Sequence, residues 1–155
     1  MAKVTLNTAG SDALRKAIAE IGKKQGRVGF FEHSKYPGGT PVAYVASIQE
    51  LHPEHARPFM RPTIEEQRLA WRASLLMGSK AVINGKIDVT NMLQQFGMLA
   101  AGDVRKTISQ VMDPPLAPAT IAARQRRRKT PGVSTKPLVD TGLLIQSVTS
   151  DVVDK

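Results

Sequence analysis

Proline divides this chain before any other feature is considered. Five of the ten prolines lie between Tyr36 and Pro62, and the other five lie between Pro114 and Pro137. The 51 residues from Thr63 to Asp113 contain none. Proline removes a backbone donor and clashes with the preceding turn, so a long proline-free stretch flanked by clusters is where continuous helix can form. Within it, Ile64, Trp71, Leu75 and Val82 recur at spacings of 7, 4 and 7, which predicts one buried helical face. Pro62 suits the first turn, Glu65 and Glu66 suit the positive end of the dipole, and Asn84-Gly85 suits the C-terminus.

A second helix is predicted from Asp88 to Val111, with Asp88 as N-cap and Val89, Leu93, Phe96, Ala100, Val104, Ile108 and Val111 as its stripe. At 1.5 Å per residue it would run about 36 Å. Gly97 and Gly102 each weaken it by roughly 1 kcal/mol, which predicts a kink or a close approach there. Asp113-Pro114-Pro115 ends it.

The rest reads in shorter pieces. Ser11 to Ile21 is a short amphipathic helix with Leu14, Ile18 and Ile21 on its inner face and Gly22 beyond its end. Val4-Thr5-Leu6 alternates weakly as a strand, and Arg27 to His33 is a better strand with Phe30 and Phe31 on opposite faces. Tyr36-Pro37-Gly38-Gly39 is a turn, and Val42 to Leu51 a short helix. Asp140-Thr141 is expected to cap a turn of helix at Leu143–Ile145, and Val148 to Val153 to close a sheet. The predicted class is α+β: a small antiparallel sheet packed against two long helices plus short ones, with an extended Pro/Arg-rich arm. The whole of 1–155 is read as one domain, with 114–137 as the arm.

Charge sharpens the view of that arm. The chain carries 22 Lys+Arg and 13 Asp+Glu, a net charge of +9. Between Pro114 and Val139 there is no acid, while Arg124, Arg126, Arg127, Arg128, Lys129 and Lys136 supply six positive charges, leaving +3 for the remainder. Such a run binds polyanions through counterion release, docks on an acidic protein surface, or stays a solvated loop. No aromatic residue follows Phe96, so the arm has no base-stacking platform, and no helix-turn-helix or zinc-finger spacing accompanies it. On this reading, deleting Arg124–Lys129 is expected to spare the stability of the fold.

Catalytic patterns are scarce. With no cysteine, disulfides, thiol chemistry and Cys-ligated zinc are excluded. Gly85-Lys86 lacks the remainder of a P-loop, and no G-x-G-x-x-G or G-x-S-x-G occurs. His52-Pro53-Glu54-His55 has metal-ligand residue types, but its proline prevents the helical spacing of known zinc pairs, so solvated loop histidines are the simpler reading. No enzyme and no cofactor are expected. With neither an apolar run of membrane-spanning length nor an apolar signal block at the N-terminus, a soluble, cytoplasmically made protein is expected.

Two stretches together carry a family likeness: Glu50-Leu51 with Ala56-Arg57-Pro58-Phe59-Met60-Arg61-Pro62-Thr63-Ile64, and Pro114–Ile121 continuing through the basic run to Lys136-Pro137-Leu138-Val139-Asp140-Thr141-Gly142-Leu143-Leu144-Ile145-Gln146-Ser147-Val148. With Ala101-Gly102-Asp103-Val104-Arg105 between them, the chain resembles the tail-completion or head–tail joining (neck) proteins of tailed bacteriophages. The likeness covers most of 28–153 and departs from the pattern at His52, where a glycine is expected.

The resemblance implies a non-catalytic virion protein forming a ring, usually of six subunits, at the head–tail interface after assembly in the host cytoplasm. Its partners would be the connector or adaptor above, tail-terminator or tail-tube proteins below, and the genomic double-stranded DNA passing through the lumen, with no membrane involved. Arg57, Pro58, Phe59, Arg61, Pro62, Pro137, Leu138, Asp140, Thr141, Gly142 and Leu143 are the motif residues it singles out. Arg57 and Arg61 are expected to present two charges around the apolar anchor Phe59, and the basic arm to face a neighbour or the lumen. A tail-terminator ring is the alternative in the same class. From other classes come a nonspecific DNA-binding packaging or regulatory protein using the arm and, more distantly, a metal-dependent hydrolase at His52/His55.

Overall fold

Helix and strand follow one another in the order α1 (Ala9–Lys23), β1 (Lys24–Phe30), α2 (Val42–Leu51), α3 (Met60–Ile83), α4 (Val89–Gln110), α5 (Pro118–Gln125), α6 (Leu143–Gln146) and β2 (Val148–Asp154). This is a computed structural model, and it describes residues 9–54, 56–127 and 134–155. The predicted Val4–Leu6 strand, His55, Arg128 and Lys129 lie outside the described residues.

The proline-free stretch forms an antiparallel helical hairpin, α3 against α4. Its register is fixed by cross-helix pairs: Thr63 Oγ1 donates to Thr107 Oγ1 at 2.7 Å, and Trp71 Nε1 donates to an oxygen of Asp103 at 2.7 Å. The Trp71 ring meets Phe96 edge to face at 5.9 Å. Asp88 caps α4 by accepting from the Asn91 backbone N–H at 2.8 Å. The expected stripe of α4 is buried or half-buried throughout.

On its other side α4 carries the sheet, in which β1 and β2 pair antiparallel from Lys24↔Asp154 to Phe30↔Val148. Gly97 is where the sheet comes closest: a Cβ built there would lie 2.7 Å from the Ser150 Cβ. Gly102 meets nothing within 4 Å, so only the first of the two helical glycines marks a close approach. The core gathers Val42, Ala46, Phe59, Ala101, Val104, Ile108, Leu138, Leu144 and Val148, with the rings of Phe30 and Phe59 edge to face at 5.9 Å. The α+β class with two long helices is therefore the architecture.

Several local expectations need correction. Strand β1 starts three residues earlier than predicted, because α1 runs through Gly22 to Lys23 and passes directly into it. A turn with the Ser34 N–H on the Phe31 carbonyl then ends it before His33. Among the described residues of α1, Ala17 alone is buried, while Leu14 and Ile18 stand exposed, because the helix leans on its neighbours by a narrow edge. In α3 it is Thr63 that is buried while Ile64 is exposed. One residue turns the direction by about 100°, and α3 packs mainly along α4, with a smaller contact to α1, rather than covering a broad core.

The cap predicted at Asp140-Thr141 is supplied differently. Gly142 stands at the N-cap of α6 with φ 78°, and the Thr141 hydroxyl accepts from the Leu143 N–H at 3.4 Å, while the Asp140 carboxylate is engaged elsewhere. The expected extended arm over 114–137 is also part helix: Pro118 opens α5, which runs to Gln125.

Candidate functional site

The first motif is a joint. Helix α3 begins after Phe59, whose side chain cannot cap, so its first N–H groups need an acceptor from elsewhere. Glu50, on the last turn of α2, supplies it. One carboxylate oxygen accepts from the N–H groups of Phe59 at 2.8 Å and Met60 at 3.0 Å, and the other from Arg61 at 3.1 Å. A carboxylate at a helix N-terminus is stabilised by both the hydrogen bonds and the dipole. This clamp holds the chain so that Phe59 is driven fully into the core.

Arg57 does not project its charge. Its Nε donates to the Pro114 carbonyl at 2.9 Å and a terminal nitrogen donates to Pro115 at 3.3 Å, which ties the first motif to the start of the second. Arg61 keeps most of its side chain in solvent, with Nε 3.5 Å from Glu50. The expected pair of presented charges is therefore reduced to Arg61. Pro58 is exposed beside the joint, and Pro62 occupies the third position of α3.

The second motif is a knot around Arg124. Its guanidinium is 9% exposed and donates to the backbone carbonyls of Ser134 at 2.8 Å, Lys136 at 3.0 Å, Val139 at 3.3 Å and Pro137 at 3.2 Å. Its Nε lies 3.4 Å from Asp140, which also takes a short contact from Arg127 at 2.7 Å. The planar fork of arginine suits this task, since it presents several donors in fixed directions. Leu138, threaded between the bonded carbonyls, enters the core, and Leu143 packs against the same cluster. Arg124 is thus removed from the list of docking residues. Arg126 and the partly paired Arg127 are exposed, and Lys136 contributes a carbonyl to the knot while its side chain is exposed.

A cleft of about 480 Å³ opens beside this knot, lined by Tyr36, Gln49, Arg127, Asp140, Thr141 and Leu143 among others. Burial raises the Tyr36 phenol above its ordinary pKa, and the Asp140 carboxylate adds to the effect. The side-chain oxygen of Gln49 is buried there without a hydrogen-bond partner among the described residues. Elsewhere among the described residues, twelve large apolar side chains stand exposed on or next to helices α1 to α4, among them Leu14, Ile18, Tyr44, Leu51, Leu69 and Leu76. The described residues contain no group of three or more His, Asp or Glu able to hold a metal ion, and His52 instead accepts from the Glu54 N–H at 3.2 Å. Among the described residues, no helix is long and apolar enough to cross a membrane.

Sequence reasoning missed Glu50 as a cap and Arg124 as a structural centre. For Arg124 a signal was present: Asp140, the first acid after the acid-free stretch, follows the basic run within the same motif and offers it a partner. Comparisons with protein-family models, with curated proteins and with solved structures find no match to this chain.

Proposed function

We propose that the chain is a structural subunit of a ring at the neck of a tailed bacteriophage, where it joins the DNA-filled head to the tail. The observation that carries this reading is the set of large apolar side chains left exposed on the long helices of a chain that has already built its core. Where they gather, as Ile64 and Leu76 do with Trp71, Leu75 and Phe96 along one groove, such apolar surface marks a site of association. The resemblance of the two motifs to neck proteins supplies the kind of assembly, and the bonds from Arg57 to Pro114 and Pro115 fit it by tying the two motif-bearing segments into one unit. The role is adhesive: the ring seals the packaged head and offers a platform on which a preformed tail docks. No bond is made or broken in that role, so it calls for no catalytic group or cofactor.

A tail-terminator ring, one layer further down, uses the same surfaces and remains the second reading. The DNA-binding alternative is weakened by the fate of the basic run, since Arg124 is buried and Arg127 is paired with Asp140. The test is genetic and structural together. Loss of the chain from the phage that encodes it should leave filled heads and finished tails that do not join, and adding the purified chain should join them. Infectious particles made without the chain would end the neck reading, and tails of uncontrolled length would favour the terminator.

A further inference from the structure

Five of the exposed apolar residues fall into one knob and one groove: Tyr44, Ile48 and Leu51 on α2, and Ile64 and Leu76 along the hairpin. On α2, Tyr44, Ile48 and Leu51 lie at positions i, i+4 and i+7 and are 60%, 37% and 63% exposed, so one face of a short helix is left uncovered by the described residues. That spacing is the one by which a helix anchors in an apolar groove. On the hairpin, a groove of about 340 Å³ has Trp71, Leu75 and Phe96 at its apolar part, with Leu76, Arg68 and Arg72 among its other lining residues. It follows α3 from Ile64 to Ser79, which is about 22 Å of helix, whereas the three α2 anchors span only about 10 Å.

The charges match as the shapes do. Arg68 and Arg72 are exposed and make no ion pair among the described residues. The α2 stripe ends beside a hollow in which Leu51 is joined by Glu50, Glu65 and a single cation, Arg61, with Glu54 exposed three residues beyond Leu51, so this end is acidic on balance. An apolar stripe with an acidic end complements an apolar groove carrying two arginines. We infer that the Tyr44/Ile48/Leu51 face of one copy docks in the Trp71/Leu75/Phe96 groove of a second copy, with the arginines meeting the acids. The two faces use different residues, so the contact is heterologous, the kind that closes rings. This rests on the ring reading and names the subunit contact within it.

Exposed positions allow a test that leaves the fold alone. Ile48→Asp with Leu51→Asp blocks the knob, and Arg72→Glu with Leu76→Glu blocks the groove, with thermal melts confirming that each double variant folds as the wild type does. Sedimentation should show the wild type assembling beyond a dimer and each variant weakened by roughly 30-fold or more, as loss of a hot-spot anchor implies. Mixing the two variants leaves one intact knob and one intact groove, so a 1:1 dimer and nothing larger is expected. In the otherwise cysteine-free chain, Leu51→Cys with Leu76→Cys should oxidise to a ladder of linked subunits.

Wild-type rings that survive both blocks, or a mixture that stays monomeric, overturn the docking and leave the ring reading intact. A wild type that stops at a two-fold dimer, or stays monomeric at every concentration without forming the ladder, overturns it as well. The ring reading itself is judged separately, on assembled particles.

Discussion

Replacing Arg124 by Met should destabilise the chain strongly, although the arm was expected from charge alone to be dispensable. Methionine fills much of the same volume but supplies no donor. Four carbonyls lose their partner, and Asp140 keeps only Arg127. The Ser134 and Lys136 carbonyls belong to partly or fully exposed residues and can turn to water, whereas Pro137 is buried and Val139 half-buried. Leaving a buried acceptor unmade costs about 1–3 kcal/mol, here for the carbonyls of Pro137 and Val139, while the solvent-screened Asp140 adds about 1 kcal/mol or less. We take about 3–5 kcal/mol for the whole change, since these terms overlap. For a chain of this size that lowers Tm by roughly 6–20 °C. Asp140→Asn is the control: at 38% side-chain exposure its ion pairs are screened, and the loss should be about 1 kcal/mol or less. Arg124→Lys should fall between, because one ammonium cannot reach four carbonyls. Thermal and denaturant melts of the three variants decide the matter. If Arg124→Met melts within about 1 kcal/mol of the wild type, the knot does not hold the second motif and the argument for a structural Arg124 fails.

Other perturbations probe the remaining supports. Glu50→Ala removes the acceptor for three N–H groups at the start of α3 and should cost about 2 kcal/mol in denaturant melts, with Glu50→Gln, which keeps an acceptor but no charge, costing less; a Glu50→Gln variant as stable as the wild type would dismiss the charge–dipole part. Gly97→Ala should destabilise by about 1–3 kcal/mol because its methyl would meet Ser150, and Ser150→Gly should restore most of the loss. Gly102→Ala, in open space, should instead stabilise by roughly 0.5–1 kcal/mol, and the opposite order of the two would contradict the packing. Tyr36 gives a pH effect of definite sign. Burial favours its protonated form, so the unfolded chain loses this proton first, near the ordinary value of 10.0. The stability it contributes is whole below that pH and is lost as pH rises through the folded value. Tyr36→Phe should therefore soften the alkaline fall in Tm, and an unchanged alkaline slope would refute the burial.

What could be read in advance was local. The silence of proline from Thr63 to Asp113 marked the hairpin, the periodic stripe and Asp88 marked α4, and the run Val42–Leu51 matched α2 to the residue. Each of these depends on interactions within a few turns. What escaped depends on contacts between distant segments. Glu50 caps a helix that starts ten residues later around a proline-bearing loop, and spacing carries no trace of that. Ile64 and Thr63 are neighbours in sequence, and only the line of contact with α4 decides which turns inward. Arg124 was counted as a charge when its geometry makes it a cross-link, because a formal charge says nothing of the carbonyls folded around it. Within the candidate site the motif residues were legible and their roles were not: Arg57 and Asp140 proved to be ties within the chain.

The proposed role is that of a ring subunit between the head and tail of a tailed bacteriophage. Cryo-electron microscopy of intact particles from the phage that encodes it tests this most directly, with the chain located by its two-helix hairpin and two-stranded sheet. A closed ring of copies is expected beneath the head connector, α2 of each seated against the α3–α4 groove of the next. Particles with a complete head–tail junction in which this chain has no density would contradict it.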